Sequence, residues 1–187
     1  MEIHVVRHTP VDVEKNTCYG RLEVPLGESF EEDASEMRQF LPTDYDKVFT
    51  SPAKRCVDLV HALSVTDYQK ENRLQELDFG AWEGKTWDAI DTEKLQLWMD
   101  DYVEVAPEKG ESLIQMHTRI VNFIEELRVQ DYEKVLLVAH AGVIRCLWAY
   151  FLDFPLKNIF RIPVNFKEHF VFNLGESSDL DSVVQLK

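Results

Sequence analysis

Three short runs of aliphatic and β-branched residues stand out along the chain, at 1–6, 47–50 and 135–139. The last is apolar at every position, as a parallel strand covered on both faces must be, and all three read as strands. Residues 170–172 and 183–184 are candidates for later strands. Between these runs the apolar spacing changes to three and four. Cys56, Leu59, Val60 and Leu63 repeat at helical spacing behind Ser51, a candidate N-cap, and Pro52, which suits a first helical position. Ser112 and Gln115 have the spacing of a capping box, and Leu113, Met116, Ile120, Phe123 and Leu127 form one face of the helix that follows. A further helix is expected from about Gly142 to Leu152. Alternating strand and helix patterns predict an α/β three-layer sandwich with a mostly parallel sheet. The polar stretches 28–36 and 176–181 read as surface, and no linker or repeat divides the chain, so residues 1–187 are expected to form one domain.

Charge narrows the picture. With 34 acidic and 20 basic residues the formal net charge is −14, which argues against a nucleic-acid partner. The three cysteines, Cys18, Cys56 and Cys146, are far apart and form no Cys-x-x-Cys pair, as expected of a reducing compartment rather than a disulfide framework or zinc site. The early apolar run is too short for a signal peptide, and 143–154, interrupted by Arg145 and Asp153, falls short of the roughly 20 residues of a membrane span. A cytoplasmic protein without a membrane partner is expected, and no pattern specifies an oligomeric state.

In open α/β sheets ligands bind beyond the carboxyl ends of the strands. Here the first strand ends in Arg7-His8, the second leads through Thr50-Ser51 to Arg55, and the third ends in His140-Ala141-Gly142. Arginine forks match phosphate oxygens, so two arginines and two histidines converging on one crevice would suit a phosphoryl group. On an acidic protein such a local cationic set is the more informative. Glycine-rich nucleotide loops and the His-Glu-x-x-His zinc motif are missing from the sequence. His4, His61, His117 and His169 lack this placement and read as core or surface residues, and the cysteines lack any cue for a reactive thiol.

Val6-Arg7-His8, Ser51-Pro52-Ala53-Lys54-Arg55 and Ala139-His140-Ala141-Gly142-Val143-Ile144-Arg145, in that order, resemble the motifs of the histidine phosphatase superfamily, also called phosphoglycerate-mutase-like. Residues 73–84 resemble the family segment that carries its acid, and Gly110-Glu111-Ser112 its substrate-side loop. The resemblance implies that His8 is the nucleophile that becomes phosphorylated, that Arg7, Arg55 and His140 bind the phosphoryl oxygens, and that Glu76 is the proton donor, with Asp78 and Glu83 as competitors. It also implies a small phosphorylated substrate and neither metal nor cofactor. Where the family has Gly, Thr and Asn after its nucleophile this chain has Thr9, Val11 and Glu14, and Asn16 lies just beyond. The Arg-His-Thr start and the segment 18–26 look most like the α-ribazole phosphatase branch, which removes the 5′-phosphate of α-ribazole phosphate in cobalamin nucleotide-loop assembly. In that reading Tyr19, Arg21, Ala141 and Gly142 are substrate contacts, and 82–108 shapes a lid whose Trp82, Trp87, Trp98 and Tyr102 are candidate ring contacts. A broad phosphatase, a phosphoglycerate mutase and a non-catalytic phospho-ligand binder are the alternatives.

Overall fold

The computed structural model describes residues 1–186. Its sheet has six strands: β1 (Glu2–Arg7), β2 (Lys47–Thr50), β3 (Gln69–Lys70), β4 (Lys134–Ala139), β5 (His169–Asn173) and β6 (Ser182–Leu186), in the order β3-β2-β4-β1-β5-β6. The first four in that order run parallel, and β5 and β6 add an antiparallel flank. Ile3 and Val5 sit opposite Val135 and Leu137, so the two most apolar strands form the buried centre.

The period of two along these strands divides the core. Ile3, Val5, Val135, Leu137 and Ala139 face α4 (Leu113–Arg128) and α5 (Ala141–Phe151). Val6, Val48, Leu136 and Val138 face α1 (Phe30–Phe40) and α2 (Lys54–Ala62). This is the mostly parallel α/β sandwich expected. The capping box at α4 is present in both halves, with Ser112 Oγ accepting from Gln115 N and Gln115 Oε1 accepting from Ser112 N. No helix among the described residues is long and apolar enough to cross a membrane.

Three expectations need correction. Ser51 is not the N-cap of α2, because the helix starts at Lys54 behind Ala53 and the Ser51 hydroxyl meets His140 instead. The stretch 28–36, read as surface, enters α1, where Asp33, Ala34 and Met37 are buried and Lys167 pairs with Asp33. Its apolar stripe is only two residues wide among acidic neighbours, too narrow for periodicity to register. In 176–181 the Asp181 side chain is 3% exposed, held by Arg128. The lid region contains α3 (Thr92–Asp100), which carries Trp98 into the core.

Candidate active site

His8 follows β1 directly, and its main-chain N–H still bonds to Ala139 O at 3.1 Å. The ring is 2% exposed, and its Nδ1 lies 2.7 Å from the carbonyl of Thr9. A carbonyl only accepts, so Nδ1 carries the proton and Nε2 keeps its lone pair. Nε2 has no partner among the described residues, and the ring lines a cavity of about 230 Å³. Burial, then the Arg55 charge, push the His8 pKa down to about 3 against the pull of the Thr9 bond, with Arg7 adding to the depression. The imidazole is therefore neutral, the form a nucleophile requires.

Two guanidiniums flank it. Arg7 donates from Nη1 to Val164 O at 2.7 Å, bonds to Tyr19, and lies 3.7 Å above the centroid of Phe166, whose ring also packs against His8. Arg55, 1% exposed, donates from Nη1 to Leu22 O at 2.9 Å and from Nη2 to Gly20 O. The Nε atoms of both arginines are buried without a hydrogen-bond partner, and among the described residues neither guanidinium pairs with a carboxylate. Arg55 is a buried cation and Arg7 a partly buried one, neither in an ion pair among the described residues, and two such charges beside one cavity make a site for an anion.

His140 directly follows β4 and stands at the N-cap of α5. Arg55 Nη2 reaches its Nδ1 at 3.4 Å, and because guanidinium only donates, Nδ1 is the acceptor and Nε2–H donates to Ser51 Oγ at 2.8 Å. The two histidine rings meet edge to face, 5.2 Å between centroids. Burial first, and then the neighbouring His8 and Arg55, hold the His140 pKa well below its ordinary value.

Of the three competing carboxylates, Glu76 lines the cavity with Arg7, His8, Tyr19, Arg55 and His140. Its Oε1 accepts from Leu77 N at 2.9 Å and its Oε2 from Gly142 N at 3.0 Å, in the first turn of α5. A Cβ at position 142 would overlap the carboxylate, which is why glycine stands there. Asp78 instead accepts from Gly80 N at 2.8 Å and pairs with Arg21. Glu83 accepts from the N–H groups of Gly20, Arg21, Leu22 and Phe79. It thus holds one side of the 20–22 segment while Arg55 holds its carbonyls on the other.

Tyr19, Thr17, Phe79 and Trp87 also line the cavity, whereas Ala141 is buried beside it and Trp82, Trp98 and Tyr102 do not reach it. Arg21 is turned to the protein's own groups, Glu111 Oε1 at 2.9 Å, Asp78 and the Glu76 carbonyl. Arg119 shares Glu111, and the two guanidiniums outweigh burial to hold that carboxyl below its usual range. Asn16 contributes its main chain, at φ 67°, with its carbonyl accepting from Trp87 N at 2.9 Å. Among the described residues no three His, Cys, Asp or Glu side chains converge as a metal's donor set. Sequence reasoning missed Val164 and Phe166, which lie in an irregular segment without periodicity or motif, and the Ser51 partnership, masked by a local pattern that reads as a cap.

In fold, the chain is similar to the α-ribazole phosphatase of Shigella flexneri, with a TM-score of 0.90 at 22% identity, covering 100% of this chain and 96% of that one. In sequence it is similar to phosphoserine phosphatase 1 of Hydrogenobacter thermophilus, 25% identical over 187 residues, 94% of this chain and 88% of the relative. It is also 38% identical over 110 residues to human 6-phosphofructo-2-kinase/fructose-2,6-bisphosphatase 1, a stretch that is 57% of this chain and spans only 23% of that protein. The family model described as histidine phosphatase superfamily (branch 1) matches residues 3–177, nearly the whole chain. The protein is a phosphatase of the histidine phosphatase superfamily, branch 1.

Proposed function

We propose that the chain, acting as one domain in the cytoplasm, hydrolyses α-ribazole 5′-phosphate through a phosphohistidine on His8. The observation that carries this reading is the His8 ring: proton on Nδ1, held by Thr9 O, and Nε2 bare on a cavity that the Arg7 and Arg55 guanidiniums share, each with a buried Nε that has no hydrogen-bond partner among the described residues. Nε2 attacks phosphorus in line, the bond from phosphorus to the ester oxygen breaks, and Glu76 delivers a proton to that leaving oxygen. Water, deprotonated by the resulting carboxylate, then attacks the phosphohistidine, releasing inorganic phosphate and restoring both groups. Phosphoryl transfer depends mostly on positioning and charge stabilisation, which Arg7, Arg55 and His140 supply.

The choice of substrate rests on the Arg-His-Thr start, the segment 18–26 and the likeness of fold to the Shigella flexneri enzyme. Free, undisulfided cysteines and the acidic balance support a cytoplasmic setting and a small-molecule partner. The likeness to a phosphoserine phosphatase favours phosphoserine as the second reading. Steady-state phosphate release from α-ribazole 5′-phosphate, phosphoserine, phosphoglycerate and simple nucleotides, in EDTA and with a His8→Ala control, tests both. The expected result is His8-dependent turnover with kcat/KM highest for α-ribazole 5′-phosphate. Preference for phosphoserine would overturn the substrate assignment, efficient phosphoglycerate interconversion would make the protein a mutase, and absence of turnover would make it a binder.

A further inference from the structure

A second cavity, of about 110 Å³, adjoins the cationic crevice. Tyr19, Glu76 and Phe79 border both, so they form a ridge between them. Beyond the ridge the lining changes character: Leu113 and Met116 of α4 make one wall, Ile159 and Phe160 another. Arg145 flanks the second wall with its Nε bonded to Ile162 O at 3.0 Å and its guanidinium 5.7 Å from the Phe160 centroid. A third depression also touches Glu76, but it is smaller, about 70 Å³, and bordered by Arg21, Glu23, Ser51 and Arg55.

These three spaces constrain where a substrate's body can go, an argument that rests on the phosphohistidine reading above. The phosphorus must face His8 Nε2, and the leaving oxygen must meet the Glu76 carboxylate, so whatever is attached to that oxygen continues past Glu76. One continuation is a charged notch, and the other is an apolar slot open at Phe160, which is 53% exposed. We infer that the slot between Leu113, Met116, Ile159 and Phe160 receives the leaving group, and that it selects phosphomonoesters whose alcohol carries a flat, apolar ring. Phe160 is the specificity-determining residue at its rim. Its ring is held edge-on to Tyr102, 5.0 Å between centroids, and Tyr102 in turn donates to Lys157 O at 2.5 Å, so the rim is preset rather than loose.

The test uses the full chain and two substrates, α-ribazole 5′-phosphate, whose alcohol bears a benzimidazole, and phosphoserine, whose alcohol bears no ring. Because Phe160 is a surface ring, Phe160→Ala is expected to fold, with a melting temperature near that of the parent as the control. Its kcat/KM for the ring-bearing substrate should fall about tenfold, through KM, the worth of one aromatic contact, while that for phosphoserine stays within twofold. Phe160→Trp, which keeps a flat face, should restore the ring-bearing substrate. Equal losses on both substrates, or no loss on either, would overturn the slot while leaving His8-dependent turnover intact. Absence of His8-dependent turnover on both would instead overturn the reading beneath it, and the slot's role with it.

Discussion

Replacing Gly142 by alanine perturbs the seat of the Glu76 carboxylate without replacing any charged residue. The added Cβ would overlap Glu76 Oε1, and to regain an ordinary carbon–oxygen contact of about 3.4 Å the carboxylate must retreat by more than about 1 Å. The retreat also breaks or lengthens its 3.0 Å bond from Gly142 N. A displacement of that size costs a positioned group about 100-fold, within the roughly 10²–10⁴-fold that general acid catalysis supplies. Only leaving groups that need a proton should feel it. The discriminating assay is kcat/KM, which reports phosphoryl transfer and not the later hydrolysis of the phosphoenzyme, on an alkyl phosphate and on p-nitrophenyl phosphate. Gly142→Ala should lose about 100-fold on the alkyl ester and less than about fivefold on the aryl ester, whose phenolate leaves unaided. Because alanine is the better helix former by about 0.5–1 kcal/mol, the variant should melt close to the parent, separating lost catalysis from lost fold. Equal losses on the two esters, or alkyl turnover within threefold of the parent, would refute Glu76 as the proton donor.

His8 has a folded pKa of about 3 against an ordinary 6.5, so the unfolded chain takes up its proton first as the pH falls. The neutral ring's contribution to stability is therefore intact above pH 6.5 and is lost toward pH 3, at about 1.4 kcal/mol per pH unit. Urea titrations should show the parent losing about 2 kcal/mol more than His8→Gln between pH 6.5 and 5, and equal losses would place the depression elsewhere. Glu83→Gln replaces a carboxylate that accepts four main-chain N–H groups with an amide that presents donors to some of them. It should raise KM about tenfold and speed hydrogen exchange at Gly20, Arg21 and Leu22, and unchanged exchange would contradict the anchoring role. Asp181→Ala removes one of the two carboxylates that hold Arg128, at 2.8 and 2.9 Å, and leaves the other, Glu125 at 3.0 Å; it should cost about 2 kcal/mol in chemical denaturation yet leave kcat/KM unchanged, since Asp181 touches no residue of the crevice.

The centre of the sheet is readable because a strand buried on both faces must be largely apolar, a demand that β4 meets at every position of 135–139 and that β1 and β2 meet except at their ends and at His4. Their carboxyl ends place His8, Arg55 and His140 at one edge of the sheet. What stayed hidden depends on partners distant in sequence. Ser51 before Pro52 has the local form of a cap, but its hydroxyl is claimed by His140, 89 residues away. Asp33 looks like any acidic surface residue until Lys167 reaches it across 134 positions. Glu76, Asp78 and Glu83 are chemically alike in one short segment, and only the groups that meet them, Gly142 N, Arg21 and the amides of 20–22, tell a cavity carboxylate from two structural ones. Phe166 and Val164, which hold Arg7 in place, belong to an irregular stretch where no period exists to be read.

The central claim is that phosphate passes through the Nε2 nitrogen of His8, and trapping that intermediate tests it most directly. The enzyme should be mixed with excess substrate, quenched in base within milliseconds, and examined by ³¹P NMR and peptide mass spectrometry. Up to one alkali-stable phosphate per chain is expected on His8 at Nε2, because Nδ1 is occupied by its proton and the Thr9 carbonyl. A phosphate found on Nδ1, on His140 or on any other residue, or turnover that persists at the parental rate in His8→Ala, would contradict it.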